Sequence, residues 1–483
     1  MNREQNIQTA AMVTLDGLAS VYFIGIGGIG MSALARYFVS KGVSVSGYDK
    51  TETSLTKELQ QEGIKVHYSE DVSLVPKDAN LVVYTPAIPE EHQELVFYRN
   101  KGSKVVKRSD VLQAISAGTF NICVAGTHGK TTISTMIAHL LRHSGYGCNA
   151  FLGGISVNYG TNFWSSNKNV AVIEADEYDR SFLKLSPDIA LITAMDADHL
   201  DIYGDEKSMQ DAFISFGSKV KEEGLLLSKF GLKRIKETGV KRTLTYSLQN
   251  DAADVFADNV EIREGGYSFN AQVRGERIEN LELGIGGMHN VENMLAAVAV
   301  ALELDIEHHK IKEAVADFKG VRRRFEYILP PSEKKKAGYV QPVLIDDYAH
   351  HPEELRALLK SVRSLFPQRV VTVVFQPHLF TRTRDFAEGF AEVLSMADHL
   401  VLLPIYPARE LPIEGVNSEM ILEKGRIKNG LVLTKEALMD WMEKHSINRE
   451  FGEVIVIAGA GDIDTLVPTV KEKIIANMNH QPA

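Results

Sequence analysis

From Val21 the chain alternates short β-branched runs with amphipathic segments, VYFIGIGG, MSALARYFVSKG, VSVSGYD, SLTKELQQEG and NLVVYTPA in succession. This alternation is the mark of βαβ units and predicts a parallel sheet. A second series opens at Asn121 with NICVAGTHGKTT and continues through NVAVIEAD and DIALITAMD. Its strand runs are nearly all apolar, as strands covered on both faces should be, so a second, separate sheet is expected. Between about Lys241 and Gly286 the pattern changes to short alternating pieces, DVFADNVEIREGGYSFNAQVRG, with Gly-Gly as a turn, which predicts a small antiparallel insertion followed by the helix VENMLAAVAVALELD. A third block begins near Arg322 and passes PPSEKKKAGYVQP, read as a surface hairpin or loop. It resumes with the strands VLIDDY, VVTVVFQP, HLVLLPI and EVIVIAGAG. The expectation is a three-domain α/β chain divided at 1–118, 119–321 and 322–483, in keeping with a length of 483 residues.

Composition narrows the function classes. Hydrophobic residues at 44% and charged residues at 24% are ordinary for a folded chain and leave no room for a disordered reading. A formal charge of −10 argues against a general nucleic-acid or membrane-surface binder, which needs a basic face. Any anionic ligand must therefore be held by local donors. Met1 to Leu15 is polar, and no stretch approaches the roughly 18 apolar residues of a spanning helix, so a cytoplasmic protein is expected. Cys123 and Cys148 form neither a Cys-x-x-Cys pair nor a framework and read as core residues of a reduced protein.

Two glycine loops carry the chemistry. Gly25-Ile26-Gly27-Gly28-Ile29-Gly30 follows a strand and opens a helix, and Asp49 stands at the end of the next strand. Glycines there allow a tight turn and close approach of backbone to a diphosphate, the helix start supplies N–H donors, and the acid can take ribose hydroxyls. The fingerprint fits NAD and a UDP-sugar equally, so an NAD-dependent oxidoreductase is one reading. A glycine turn that serves only helix–strand packing is the plainer one.

The second loop is Gly126-Thr127-His128-Gly129-Lys130-Thr131-Thr132, between the strand NICVA and the helix TTISTMIAHLLRHSG. Successive N–H groups of such a loop wrap a triphosphate, the lysine reaches the β and γ phosphates, and a threonine hydroxyl ligates Mg²⁺. Val124 stands where the usual pattern has a further glycine, so this is a shortened variant. A Mg·ATP site also needs oxygen ligands at neighbouring strand ends. VAVIEADEYD offers Glu174, with Asp176, Glu177 and Asp179 on the turn that follows, and ITAMDADHLDIYG offers Asp198 and His199. An acidic run on a turn is ordinarily a solvated edge, and a lone histidine is ordinarily packing.

These residues together resemble the Mur ligase superfamily over essentially the whole chain from Val21. GTHGKTT, EADEYD, DADHLDIYG, His289-Asn290-x-x-Asn293 before an alanine-rich helix, Arg323-Arg324-Phe325 and DDYAHHPEE stand in the family's order and approximate spacing. GIGGIGMS, and DDYAHHPEE with FQPHLFTRTRD, are similar to the branch that adds L-alanine to UDP-N-acetylmuramate, the first amino-acid-adding step of peptidoglycan synthesis. The resemblance implies a Rossmann-like N-terminal domain for the UDP-sugar and a central P-loop-type ATPase domain with a small antiparallel β insertion. It also implies a Rossmann-like C-terminal domain for the amino acid.

The resemblance implies roles residue by residue. Gly25, Gly27, Gly28, Ile29, Gly30, Met31, Ser32 and Asp49 would hold the UDP part, with Thr85, Ala87 and Ile88. The loop Gly126 to Thr132 would bind ATP, with Lys130 on the β and γ phosphates. Thr131 and Glu174 would take one Mg²⁺ and His199 a second. Asn290 and Asn293 would contact adenine, Arg324 the γ-phosphate and Asp347 the ATP ribose. His350, His378 and Arg382 would hold the alanine, although Leu379-Phe380 stand where such ligases commonly have Arg-Tyr. Taken singly, His350 and His351 read as a pair before a helix-opening Pro352, Arg322 to Arg324 as a basic corner and Asn290 as a helix cap.

The implied reaction is ATP-dependent: the γ-phosphoryl group makes an acyl phosphate of the lactyl carboxylate, and the amine of alanine displaces phosphate. Third-domain closure is expected to exclude water from that intermediate. The implied protein is a monomer or homodimer with no nucleic-acid or membrane partner. A recycling ligase that attaches a whole tripeptide to the same sugar nucleotide shares the ATP machinery. The oxidoreductase reading leaves Gly126 to Thr132 and Glu174 without a task, and a nucleotide-binding regulator without turnover leaves the phosphate and metal residues unexplained.

Overall fold

The computed structural model describes residues 13–196, 200–332, 340–425, 427, 429–448 and 450–480. The chain divides into two compact units. One comprises Met1–Phe256, Gln272–Glu276 and Asn293–Ala314, and the other Ala257–Ala271, Arg277–Glu292 and Val315–Ala483.

The first unit carries the two sheets expected from the two βα series. Strands β1 (Ser20–Ile24), β2 (Ser44–Tyr48), β3 (Lys65–His67), β4 (Leu81–Tyr84) and β5 (Val105–Lys107) form a parallel sheet of order β3-β2-β1-β4-β5. Central β1 is buried on both faces. Val21 and Phe23 enter one apolar cluster, and Tyr22 and Ile24 another, as a period of two requires.

The second sheet is built on β6 (Phe120–Ala125), β7 (Asn149–Ser156), β8 (Thr161–Trp164), β9 (Val170–Glu174), β10 (Ile189–Ile192), β11 (Leu225–Lys229) and β12 (Arg242–Tyr246). Their order is β12-β11-β10-β6-β9-β7-β8, parallel except for β8, which turns back on β7. Cys123 and Cys148 are both buried. The β7–β8 hairpin was not foreseen, because NAFLGGISVNYGTNFW is rich in glycine and asparagine and shows no clean alternation.

The insertion starts later than its composition suggested. β12 completes a βα step, pairing in parallel with β11, and β13 (Val255–Arg263) joins it only at Tyr246–Val255. β13, β14 (Gly266–Val273) and β15 (Glu276–Leu283) are successive neighbours joined by two-residue turns. Arg274 and Gly275 both have positive φ, 49° and 85°, the backbone of a type I′ hairpin turn.

In the second unit β16 (Glu326–Leu329), β17 (Val343–Asp347), β18 (Val370–Phe375), β19 (His399–Leu402), β20 (Gly430–Val432) and β21 (Glu453–Ala458) form a sheet of order β16-β17-β21-β18-β19-β20. Only β16 is antiparallel. The PPSEKKKAGYVQP stretch lies largely outside the described residues. No helix among the described residues is long and apolar enough to cross a membrane.

Candidate active site

Both glycine loops leave the carboxyl ends of parallel strands, where α/β sheets gather helix N-termini and open turns. After β1, Gly25 has a φ of 87°, and the N–H groups of Gly25 and Ile26 donate to the Tyr48 carbonyl at 2.8 and 3.0 Å. The Gly27 N–H donates to Asp49 Oδ2 at 2.8 Å and the Thr51 N–H to Oδ1 at 3.1 Å, which fixes the carboxylate beside the turn. Gly28 caps the helix Ile29–Ser40, which has no side-chain cap and no acid in its first turn. Such a start suits an external anion. The side chains of Thr85 and Ile88 lie against Gly25, with Ala87 exposed on the same turn.

This helix is tied to the second sheet by a contact that sequence reasoning missed. Buried Asn162 of β8 donates through Nδ2 to the Ile29 carbonyl at 2.6 Å and to Ser32 Oγ at 3.0 Å. Arg36 donates to Asn162 Oδ1 at 2.5 Å and forks onto Glu62. One asparagine thus fixes the start of the first loop's helix against the sheet that carries the second loop.

The second loop sits between β10 and β9, which flank β6. Gly126 has a φ of 128°, and Gly129, at 79°, caps the helix Lys130–His143. A Cβ on Gly126 would lie 2.1 Å from Thr193 Oγ1 and 2.8 Å from the Ala194 backbone N. Thr193 Oγ1 donates to the His128 carbonyl, and the Thr127 N–H to the Ala194 carbonyl at 3.3 Å, so the strand-end segment after β10 shapes the turn. The exposed side chain of His128 lies 3.4 Å from the carboxylate of Asp196, on the solvent side. Thr132 opens the same helix, and Gly129 lies beside Asn293.

Lys130 folds back over the turn, its Nζ donating to the Gly126 carbonyl and to Glu177 Oε1, both at 2.7 Å. Thr131 Oγ1 donates to Glu174 Oε1 at 2.9 Å, and the Gly153 N–H to Glu174 Oε2 at 2.8 Å. A Cβ on Gly153 would stand 2.3 Å from the Glu174 oxygens, so a side chain there would push this carboxylate out of place. Burial raises the carboxyl of Glu174 above the usual carboxylate range, against the pull of Lys130. The same holds for Glu177, which is 1% exposed and whose Oε2 has no hydrogen-bond partner among the described residues.

Glu177 is therefore not part of a solvated edge but the buried counter-ion of Lys130. The signal for it was the apolar strand immediately before EADEYD, which carries the turn inward. Thr131 and Glu174 converge as oxygen donors of the kind a hard divalent cation takes. His199 and Asp198 lie outside the described residues.

In the second unit the ends of β17, β18 and β21 gather another cluster. Asp347 accepts from the N–H groups of Phe325 and Ala349, both at 2.7 Å, and burial pushes its carboxyl up to about 6. Arg324 lies over the Tyr348 ring at 5.9 Å. The turn before it is demanding: Arg323 and Phe325 have positive φ, and Arg323 donates to the Gly459 carbonyl. Asn290 binds the Gly286 carbonyl through Nδ2 at 2.7 Å.

His350 meets Tyr348 and His378 edge-on, at 5.2 and 6.0 Å between centroids, and His378 stacks on Tyr406. Arg382 donates to His378 Nδ1 at 3.1 Å, which requires that nitrogen unprotonated. Burial, with Arg382 and His350 nearby, brings the His378 imidazole down to about 4. Burial also lowers His350. Leu379 has a φ of 72° and stands at the N-cap of the helix Phe380–Asp385, a backbone conformation unusual for a leucine. His351 caps the helix Pro352–Leu365, as a pair before Pro352 can. The structure thus brings His350, His378 and Arg382 together, beside Arg324 and Asp347.

The Mur ligase family catalytic domain matches residues 20–119, the Mur ligase middle domain 124–301 and the Mur ligase glutamate ligase domain 323–461. A UDP-N-acetylmuramate–L-alanine ligase of Christiangramia forsetii is 45% identical over 471 residues, 96% of this chain and 99% of that protein. One of Porphyromonas gingivalis is 46% identical over 94% of this chain and 98% of its own. The crystal structure of a UDP-N-acetylmuramate-alanine ligase from Thermotoga maritima has a TM-score of 0.78 at 27% identity, covering 96% of this chain and all of that one. With both glycine loops, the Glu174 turn and the Asp347 cluster inside matched segments, the chain belongs to the Mur ligase family.

Proposed function

We propose that this chain ligates L-alanine to the lactyl carboxylate of UDP-N-acetylmuramate, at the expense of ATP, in peptidoglycan precursor synthesis. The observation that carries the reading is a lysine-bearing phosphate loop joined to Glu174 through Thr131, in a chain that matches ligases of that name nearly end to end.

Each group has a task in such a reaction. A carboxylate is a poor electrophile, and phosphorylation makes it an acyl phosphate that an amine can open. Lys130 and Arg324 would neutralise the transferring phosphoryl group, a step that is mostly positioning and electrostatics. Thr131 and Glu174, with His199 for a second ion, would hold Mg²⁺, which when bound supplies charge neutralisation at phosphoryl oxygens. Asn290, Asn293 and Asp347 would hold the nucleoside of ATP. Gly25 to Ser32, Asp49, Thr85, Ala87 and Ile88 would hold the UDP-sugar.

His350, His378 and Arg382 would take the amino acid. A His378 imidazole held down to about 4 is neutral at working pH, and with Nδ1 accepting from Arg382 its proton sits on Nε2, which can donate to the carboxylate of the amino acid. The domains are proposed at 1–118, 119–321 and 322–483, the protein as a cytoplasmic monomer or homodimer.

Phosphate release with ATP, Mg²⁺ and UDP-N-acetylmuramate tests the reading, with no amine, with L-alanine, and with an L-Ala-γ-D-Glu-diaminopimelate tripeptide, the product being weighed by mass spectrometry. Release and the alanyl mass gain are expected with L-alanine. Turnover confined to the tripeptide would move the chain to a recycling role, and silence with both would refute the ligase.

A further inference from the structure

Arg108 follows β5 and opens the helix Arg108–Ala117, and its side chain crosses the first turn of the helix Ile29–Ser40. A Cβ on Gly30 would stand 2.3 Å from Arg108 Nη1 and 3.3 Å from Cδ and Cζ. The last glycine of the first loop therefore makes room for a guanidinium. That guanidinium is poorly partnered. Among the described residues its one hydrogen bond goes from Nη2 to Asp176 Oδ2 at 3.3 Å, long for an ion pair, between side chains 21% and 40% exposed.

Arg108 also lines a cavity of about 80 Å³ with Ile29, Gly30, Gly153, Glu174 and Asp176. One end of this cavity is the start of the first loop's helix, and the other is the acid beside the phosphate loop. Its volume suits one oxyanion and not a sugar. An arginine held against the positive end of a helix, with a loose counter-ion, is an arrangement an incoming anion completes.

We propose that Arg108 is a positioning residue for the sugar nucleotide, exchanging its long contact with Asp176 for a forked grip on one of the ligand's oxyanions between the first loop and Glu174. The inference rests on the function proposed above. The oxyanion belongs to the diphosphate or to the lactyl carboxylate, and a ligand series separates these two sources.

The test titrates the full-length protein and its R108Q and R108K variants with UDP, UDP-N-acetylglucosamine and UDP-N-acetylmuramate, with ATP binding as the control for folding. R108Q is expected to bind ATP as the parent does. If the diphosphate is gripped, it binds all three UDP compounds about 10- to 100-fold more weakly. If the carboxylate is gripped, only UDP-N-acetylmuramate weakens, and kcat falls as well as affinity. R108K, which keeps the charge and loses the fork, should fall between. R108Q binding the whole series like the parent would overturn the inference and leave the ligase reading intact, and so would parallel loss of ATP binding, the mark of a structural role. A parent protein that binds none of the three would refute the ligase reading and the inference with it.

Discussion

The two glycine loops share a plan, strand then glycine turn then helix start, and they use their glycines for different reasons. In the second loop Gly126 and Gly129 are needed for backbone conformation, with φ of 128° and 79°. In the first only Gly25 has a positive φ, while at Gly27 and Gly30 an added side chain would meet the ends of the Asp49 and Arg108 side chains, which would have to move aside. The loops also differ in charge. The second carries its own cation, held on Glu177, and the first turns an N–H toward a carboxylate. A loop with a built-in lysine suits a highly charged triphosphate, and a loop beside an acid suits a diphosphate joined to a ribose.

The difference is broken most forcefully at Lys130. Lys130→Ala should lower kcat for phosphate release by about 10³-fold while UDP-N-acetylmuramate still binds, as judged by calorimetric titration. Loss of both ligands together would show that the loops do not serve separate sites. Gly126→Ala should cost about 1–3 kcal/mol through its positive φ alone, and more through the clash with the Ala194 backbone, read as a lowered melting temperature. Gly27→Ala should melt near the parent temperature, because Asp49 and Thr56 can turn aside, and should lose sugar-nucleotide affinity instead. At Asp49 the contrast sharpens again. Asp49→Ala releases the Gly27 N–H and removes the acceptor proposed for the ribose, so UDP should bind about tenfold more weakly with ATP affinity unchanged.

How much of this was legible follows from where the contacts come from. Both loops, their helices and the strand-end acids were readable because each is a local pattern, and the three α/β blocks announced themselves by the same alternation. Arg108, Gly153 and Asn162 were not readable, because each acts on a residue 21 to 133 positions away and nothing in its own neighbourhood marks it. Glu177, readable from its turn either as a metal-ligand candidate or as part of a solvated edge, has a pairing with Lys130 that the turn alone does not show. An acidic run looks solvated until the fold places a lysine against one member and buries it. Leu379 shows the reverse case, a departure from the family's pattern that stands at a helix N-cap with a positive φ.

The finest test of the comparison is the charge on Glu177. Its Oε1 accepts from Lys130 Nζ at 2.7 Å, so the buried carboxylate lies against the cation of the loop proposed to take the triphosphate. Glu177→Gln keeps an acceptor for the lysine and removes one buried negative charge, so ATP should bind about threefold to tenfold more tightly. Glu177→Ala removes the acceptor as well and should lower kcat by leaving Lys130 unguided. The pH dependence has a definite sign. Burial raises the folded-state carboxyl above its ordinary value, against Lys130, so the proton is held more firmly in the native protein than in the unfolded chain. Below the folded pKa Glu177 is neutral and the lysine's charge is fully available to phosphate, and above it the charge is partly cancelled. Parent affinity for ATP should therefore weaken as pH rises through the folded-state pKa of Glu177, which lies above the ordinary carboxylate value. The ratio of parent to Glu177→Gln affinities, from titrations at matched pH, removes the ionisation of ATP itself and of Glu174. A ratio that stays flat with pH would mean that Glu177 does not set the charge of this loop, and the contrast with the first loop would then rest on Lys130 alone.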